Sequence, residues 1–169
     1  GLQQNFALPS DTWAWDGVKW VLVSNTGPGG RYAASMAYDS VRQRVVVFGG
    51  FDVSSTNFAD TWEWDGVAWA KKADGTPTAR TGASLAFDPG RGRIIMFGGR
   101  LQVEDQIAWS TRTWEWDGTT WVSTLTGNPS ARWLAGMTLD TSKQRIVLFG
   151  GEDSSGGLLG DTWELAARI

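Results

Sequence analysis

Three apolar runs stand out along the chain: "RVVVFGG" (44–50), "RIIMFGG" (93–99) and "RIVLFGG" (145–151). Runs this uniformly apolar predict strands buried on both faces rather than strands with one wet face. Before each lies another short strand, "SMAYD", "SLAFD" or "GMTLD", joined to it by a polar turn, "SVRQ", "PGRG" or "TSKQ". After a variable loop, "TWEW" alternates its tryptophans onto one face and predicts a third strand. Asp-Gly follows at 16–17, 65–66 and 117–118, the dipeptide favoured in two-residue type I′ hairpins. A fourth strand then carries Trp20, Trp69 or Trp121, and a loop rich in Gly, Pro and Thr closes the unit. Each unit reads as a four-stranded antiparallel sheet, which cannot bury its own two faces.

These units are copies. The Phe-Gly-Gly triplets begin at 48, 97 and 149, a spacing of 49 and then 52 residues. An arginine, Arg31, Arg80 or Arg132, lies 18 residues before the first glycine of each pair. Asp39, Asp88 and Asp140 follow those arginines by eight residues, and Arg44, Arg93 and Arg145 precede each phenylalanine by four. Trp13, Trp62, Trp114 and Trp163 keep the same register. Many positions locked to one period establish an internal repeat.

Composition narrows the function classes. At 169 residues the chain is long enough for one domain with a sizeable core. Its 12 tryptophans and 22 glycines suit short strands and tight turns. A net charge of −3 offers no basic field, so no nucleic-acid partner is expected. No apolar stretch approaches the roughly 20 residues of a membrane span, so no membrane partner is expected either. The chain has neither cysteine nor histidine. That removes disulfides, thiolate chemistry, the commonest general base and the commonest metal ligand. No catalytic constellation remains, so the reading is a non-enzyme with no metal and no cofactor.

The Phe-Gly-Gly triplets, the Asp-Thr-Trp starts at 11, 60 and 161, and the Arg-to-Asp first strands together resemble the bacterial-type kelch repeat of β-propellers, over residues 11–165. The WD40 repeat fits less well, because its period is shorter and "WDG" here is a hairpin. The resemblance implies an all-β propeller whose first strands line a central channel. Two departures stand out: Ala34, Ala83 and Ala135 occupy a place often held by histidine, and Arg112 replaces the aspartate of one Asp-Thr-Trp. Copper oxidases with this fold use His and Tyr ligands; with no histidine, and only Tyr32 and Tyr38, that chemistry has no support. Proteins of this style often belong to larger bacterial surface or secreted proteins.

Counting strands yields about three blades. Residues 11–23 supply third and fourth strands only; 31–70 and 80–125 are complete repeats; 132–165 supplies a first, a second and a third strand. Kelch propellers commonly close by mixing strands from both termini in one blade. Three blades cannot close, but two chains arranged head to tail would make a six-bladed homodimer. The competing reading is half of a longer propeller, cut from its remainder. Either way "DTWAW" and "DTWEL" compete for one third-strand slot.

Candidate ligand residues sit at loop ends. By the resemblance, Arg31, Arg80 and Arg132 start the channel-lining strands, and Arg100 follows a Gly-Gly pair; together they would clamp a carboxylate or phosphate. The structural alternative is that the three repeated arginines bond loop carbonyls or a neighbouring blade. Arg100 has no repeat counterpart and is the better functional candidate. The loop at 100–112 is three residues longer than its equivalents and carries Glu104, Asp105 and an off-register Trp109, which would either anchor a ligand or fold over the channel or onto the neighbouring blade. Asp52, Glu152 and Asp153 lack calcium-loop spacing and read as a solvated rim. The expected role is a binding or scaffold module for a protein, peptide or anionic ligand. The alternative is a carbohydrate-binding or carbohydrate-active propeller.

Overall fold

The computed structural model describes residues 8–103, 106–124 and 129–166. Across these the chain is all-β, with sixteen strands in five antiparallel sheets and no helix. Strands β1 (Thr12–Trp15) and β2 (Trp20–Ser24) form an N-terminal hairpin. The first full sheet runs in order through β3 (Ser35–Asp39), β4 (Arg44–Phe48), β5 (Thr61–Trp64) and β6 (Trp69–Ala73). A short β7 (Arg80–Thr81) precedes the second full sheet, which begins with β8 (Ser84–Asp88) and β9 (Arg93–Phe97). The next two strands, β10 (Arg100–Val103) and β11 (Gln106–Trp109), pair with β7 as a small separate sheet. Strands β12 (Thr113–Trp116) and β13 (Trp121–Thr124) complete the second sheet. The third sheet has β14 (Gly136–Asp140), β15 (Arg145–Phe149) and β16 (Thr162–Leu165), with β15 in the middle.

The apolar runs are the inner strands, as their composition predicts. In the second sheet Ile94, Ile95 and Met96 on β9 are all at most 1% exposed. They are covered on both faces because the sheets stack in chain order. Val46 and Phe48 of the first sheet pack with Leu85, Phe87, Met96, Trp116 and Trp121 of the second. Ala86 and Ile95 of the second sheet pack with Ile146 of the third. The outer face of the third sheet has no such cover, and Phe149 is 56% exposed. The first strands β3, β8 and β14 lie side by side along the inside of the stack.

Tryptophans tie one sheet to the next. Trp121 on β13 stacks edge-on against Phe48 at 5.5 Å and donates its indole N–H to the Thr61 hydroxyl at 2.8 Å. Trp69 on β6 makes the same bond to Thr12 of the hairpin, also at 2.8 Å. Burying one such ring transfers about 4–6 kcal/mol of apolar surface from water. A polar link runs beside them: Glu63 accepts from Trp116 Nε1 at 2.9 Å and from Arg42 at 2.5 Å.

The hairpin turns depart from the type I′ expectation. Asp65 N–H bonds Ala68 C=O, so the central pair is Gly66-Val67 rather than Asp-Gly. Only the glycine has positive φ, +98°, whereas type I′ needs it at both central positions. Asp65 instead accepts the amides of Val67 and Ala68 at 2.8 Å each; Asp16 and Asp117 do the same in their turns.

The Gly-Gly pairs make the joints between units. Gly50 N–H donates to the carbonyl of Arg80 in the next unit at 3.0 Å, and Gly99 N–H to that of Arg132 at 2.9 Å. At Gly98 φ is +75°, and a Cβ there would stand 2.5 Å from the Arg132 carbonyl oxygen. The motif is glycine because another backbone lies where a side chain would be. Gly98→Ala should therefore lower stability by at least about 2 kcal/mol, measured by urea denaturation. Gly66→Ala, with nothing within 4 Å of the added Cβ, should cost less.

Candidate functional site

The three repeated arginines point inward. Arg31 donates to the Gly49 carbonyl at 2.9 Å and pairs with Asp60 at 2.7 Å. Arg132 repeats both contacts with Gly150, at 2.9 Å, and Asp161, at 2.6 Å. Arg80 reaches the Gly98 carbonyl at 3.2 Å. Arg80 and Arg132 are 2% and 1% exposed. None of the three presents its guanidinium as an open clamp, and each anchors the corner of its own Gly-Gly pair. These bonds account for their repetition at fixed spacing.

The middle unit differs because Arg112 stands where Asp60 and Asp161 stand in the others. Arg80 has only the Ser110 hydroxyl, at 3.3 Å, in place of a carboxylate. Burial, reinforced by the like charge of Arg112, pushes Arg80 down to about 10. The same replacement strands a second group. Trp62 and Trp163 donate their indole N–H to the unit's aspartate, whereas Trp114 Nε1 is buried without a partner.

The cleft with open recognition groups lies at the small sheet. Its lining comes from Phe51, Ser55 and Asn57 of one unit, Thr81, Arg100, Gln102 and Ile107 of the next, and Trp133 of the third, around some 460 Å³ of space. Arg100 sits opposite Trp109 across the β10–β11 pair, so the two residues singled out from the sequence are brought together. The Arg100 guanidinium lies 5.3 Å from the centre of the Trp133 ring, and Trp109 meets that ring edge-on at 5.9 Å. Among the described residues Arg100 has no carboxylate partner, and Trp133 Nε1 has no acceptor. A cation held over an aromatic face, with the Gln102 and Asn57 side-chain amides lining the same cleft, suits an anion or a polar ring.

Glu104 and Asp105 lie outside the described residues. Trp133 is the member of the site that reading by repeat register passed over. It follows Arg132 where Tyr32 and Thr81 follow the other arginines, so the off-register test that selects Trp109 selects it too. Asp52 and Asp153 accept amides within their own loops, those of Ser54 and Thr56 and those of Ser155 and Gly157. Among the described residues no group of three or more Asp or Glu side chains converges on a cation position.

Two predictions follow from the arginine corners. Arg112→Asp should give Arg80 and Trp114 the acceptor their counterparts have, and should raise the urea midpoint by the equivalent of roughly 1–3 kcal/mol. Asp60 is pushed up by burial, but hydrogen bonds from Arg31 and Trp62 and nearby positive charge outweigh this and hold it below its ordinary 3.8. A carboxylate lowered on folding stabilises fully above its unfolded value, and that stability is lost as pH falls through the folded value. Asp60→Asn should thus be less stable at pH 7, and its stability should fall less steeply below about pH 4 in acid titrations followed by circular dichroism.

No family model matches the chain, and no curated protein matches it. Among solved structures it is similar to that of YjhT, with a TM-score of 0.74 over 88% of this chain at 15% identity. The chain spans 46% of the length of that protein, about half.

Proposed function

We propose that the chain is half of a six-bladed kelch-type β-propeller, completed by a second copy, and that it acts as a non-catalytic binding module for an anionic ligand. The stacking supports the first part. Every sheet offers the same front and back, and among the described residues the hairpin and the third sheet each leave one uncovered. There the hairpin has the equivalents of third and fourth strands alone, and the third sheet shows no fourth. Gly151, counterpart of Gly50 and Gly99, has no next-unit carbonyl to bond among the described residues. A likeness covering most of this chain and 46% of a longer one supports half of a larger arrangement.

The observation that carries the ligand assignment is Arg100, poised over Trp133 without a carboxylate partner among the described residues. A carboxylate or phosphate group would take the outer edge of the guanidinium, while flanking apolar parts rest on Phe51 and Ile107. The carbohydrate reading is favoured by one feature, the perpendicular Trp109–Trp133 pair, whose faces suit a sugar ring.

Light scattering behind a sizing column should report a species of twice the 18.4 kDa chain. A monomer at every concentration would overturn the dimer. For the ligand, the wild type and Arg100→Ala should be compared on arrays of acidic peptides and of acidic and neutral oligosaccharides. Loss of Arg100 should weaken acidic-peptide binding about 10- to 100-fold. Neutral-sugar binding that survives Arg100→Ala but not Trp109→Ala would establish the carbohydrate reading instead.

A further inference from the structure

Among the described residues the stack contains a vacant seat for a fourth-strand tryptophan and a fourth-strand tryptophan, Trp20, without a seat. Between the first and second sheets, Trp121 fills the space bounded by Phe48, Val46, Met96 and Trp116. The same positions between the second and third sheets are Phe97, Ile95, Leu148 and Leu165. These four, with Trp163, line an open apolar cleft. Among the described residues the third sheet has no fourth strand to supply the ring. At the opposite end, Trp20 on β2 holds the repeat position of Trp69 and Trp121. It pairs with Trp15 at 5.8 Å as Trp121 pairs with Trp116 at 5.4 Å. Trp121 is 7% exposed, whereas Trp20 is 63% exposed.

We infer that Trp20 of a second copy seats in the Phe97–Leu148–Leu165 cleft and is the anchor of the joint between chains. This rests on the dimer reading and gives it a specific contact. The faces on either side agree. Seating Trp20 brings the exposed Phe149 of one chain against the exposed Met36 and Tyr38 of the other, 66% and 54% exposed. In the intact joint, Phe48 is likewise clustered with Leu85 and Phe87, the repeat counterparts of Met36 and Tyr38. The seat is reached when the partner's β2 adds to the edge of β16, which keeps Leu165 in the cleft wall. A closed pair holds two such joints, each using one Trp20 and one cleft.

The test uses two variants and their mixture, with near-ultraviolet circular dichroism to confirm folding. Trp20→Ala removes the anchor and leaves the cleft; Leu165→Glu places a charge in the cleft and leaves the anchor. Each alone should raise the dimer dissociation constant at least 30-fold, as loss of a central interface tryptophan does. Mixed, they have one intact joint, and a heterodimer should form at concentrations where neither variant self-associates. A folded Trp20→Ala that dimerises like the wild type overturns this contact and leaves the dimer reading standing. A mixture that stays monomeric overturns the pairing of Trp20 with this cleft. A wild type that never dimerises overturns both. If Trp20→Ala does not fold, Leu165→Glu decides alone: wild-type dimerisation by that variant would reject the cleft.

Discussion

The joint between an arginine and a glycine pair is the constraint on which the other contacts depend. Arg80 reaches the Gly98 carbonyl within its own unit with its side chain, and its main-chain carbonyl receives Gly50 N–H from the unit before. One residue thus fixes the corner of its own sheet and the spacing to the preceding one. Gly49 has no side chain because that carbonyl occupies the space, and Gly50 because the Tyr32 carbonyl of its own unit does. With the sheets held at this distance, the inter-sheet tryptophans meet their threonine acceptors and the apolar faces close.

Much of this was legible because a repeat reports its constraints several times over. The inner strands, their order and the tryptophan-bearing third and fourth strands follow from patterns seen three times. The turn geometry did not follow, since Asp-Gly is equally compatible with a turn centred one residue later when the aspartate side chain caps the amides. For Arg31, Arg80 and Arg132 the pattern allows both a ligand clamp and a loop anchor. Their partners lie in the same unit but 18 and 29 residues on, a separation that only the folded corner closes. The Arg100 cleft was half legible. Arg100 and Trp109 break the register visibly, but Trp133 reaches them from a different unit, across a distance only the stacking closes.

The middle unit concentrates the departures. Arg112 leaves Arg80 and Trp114 Nε1 without the carboxylate that serves both in the neighbouring units. The same unit carries the long loop that folds as β10 and β11 and supplies Arg100 and Trp109. The departures are thus gathered in one unit, where loops and corner residues carry the change and the sheets keep the repeat.

The chained Gly-to-Arg hydrogen bonds also set how the molecule breathes. Among the described residues these bonds hold the second sheet from both sides and the first and third sheets from one, while the hairpin is tied to the first sheet by the Trp69–Thr12 bond. Stability in such a stack is close to a sum of units and nearest-neighbour contacts, so opening begins at the ends and moves inward. Amide exchange would follow that order in an isolated chain, fastest in β1, β2 and β16 and slowest in β9. The segments that open first are those bearing Trp20 and Leu165. Whatever covers them therefore meets the part of the fold that costs least to rearrange.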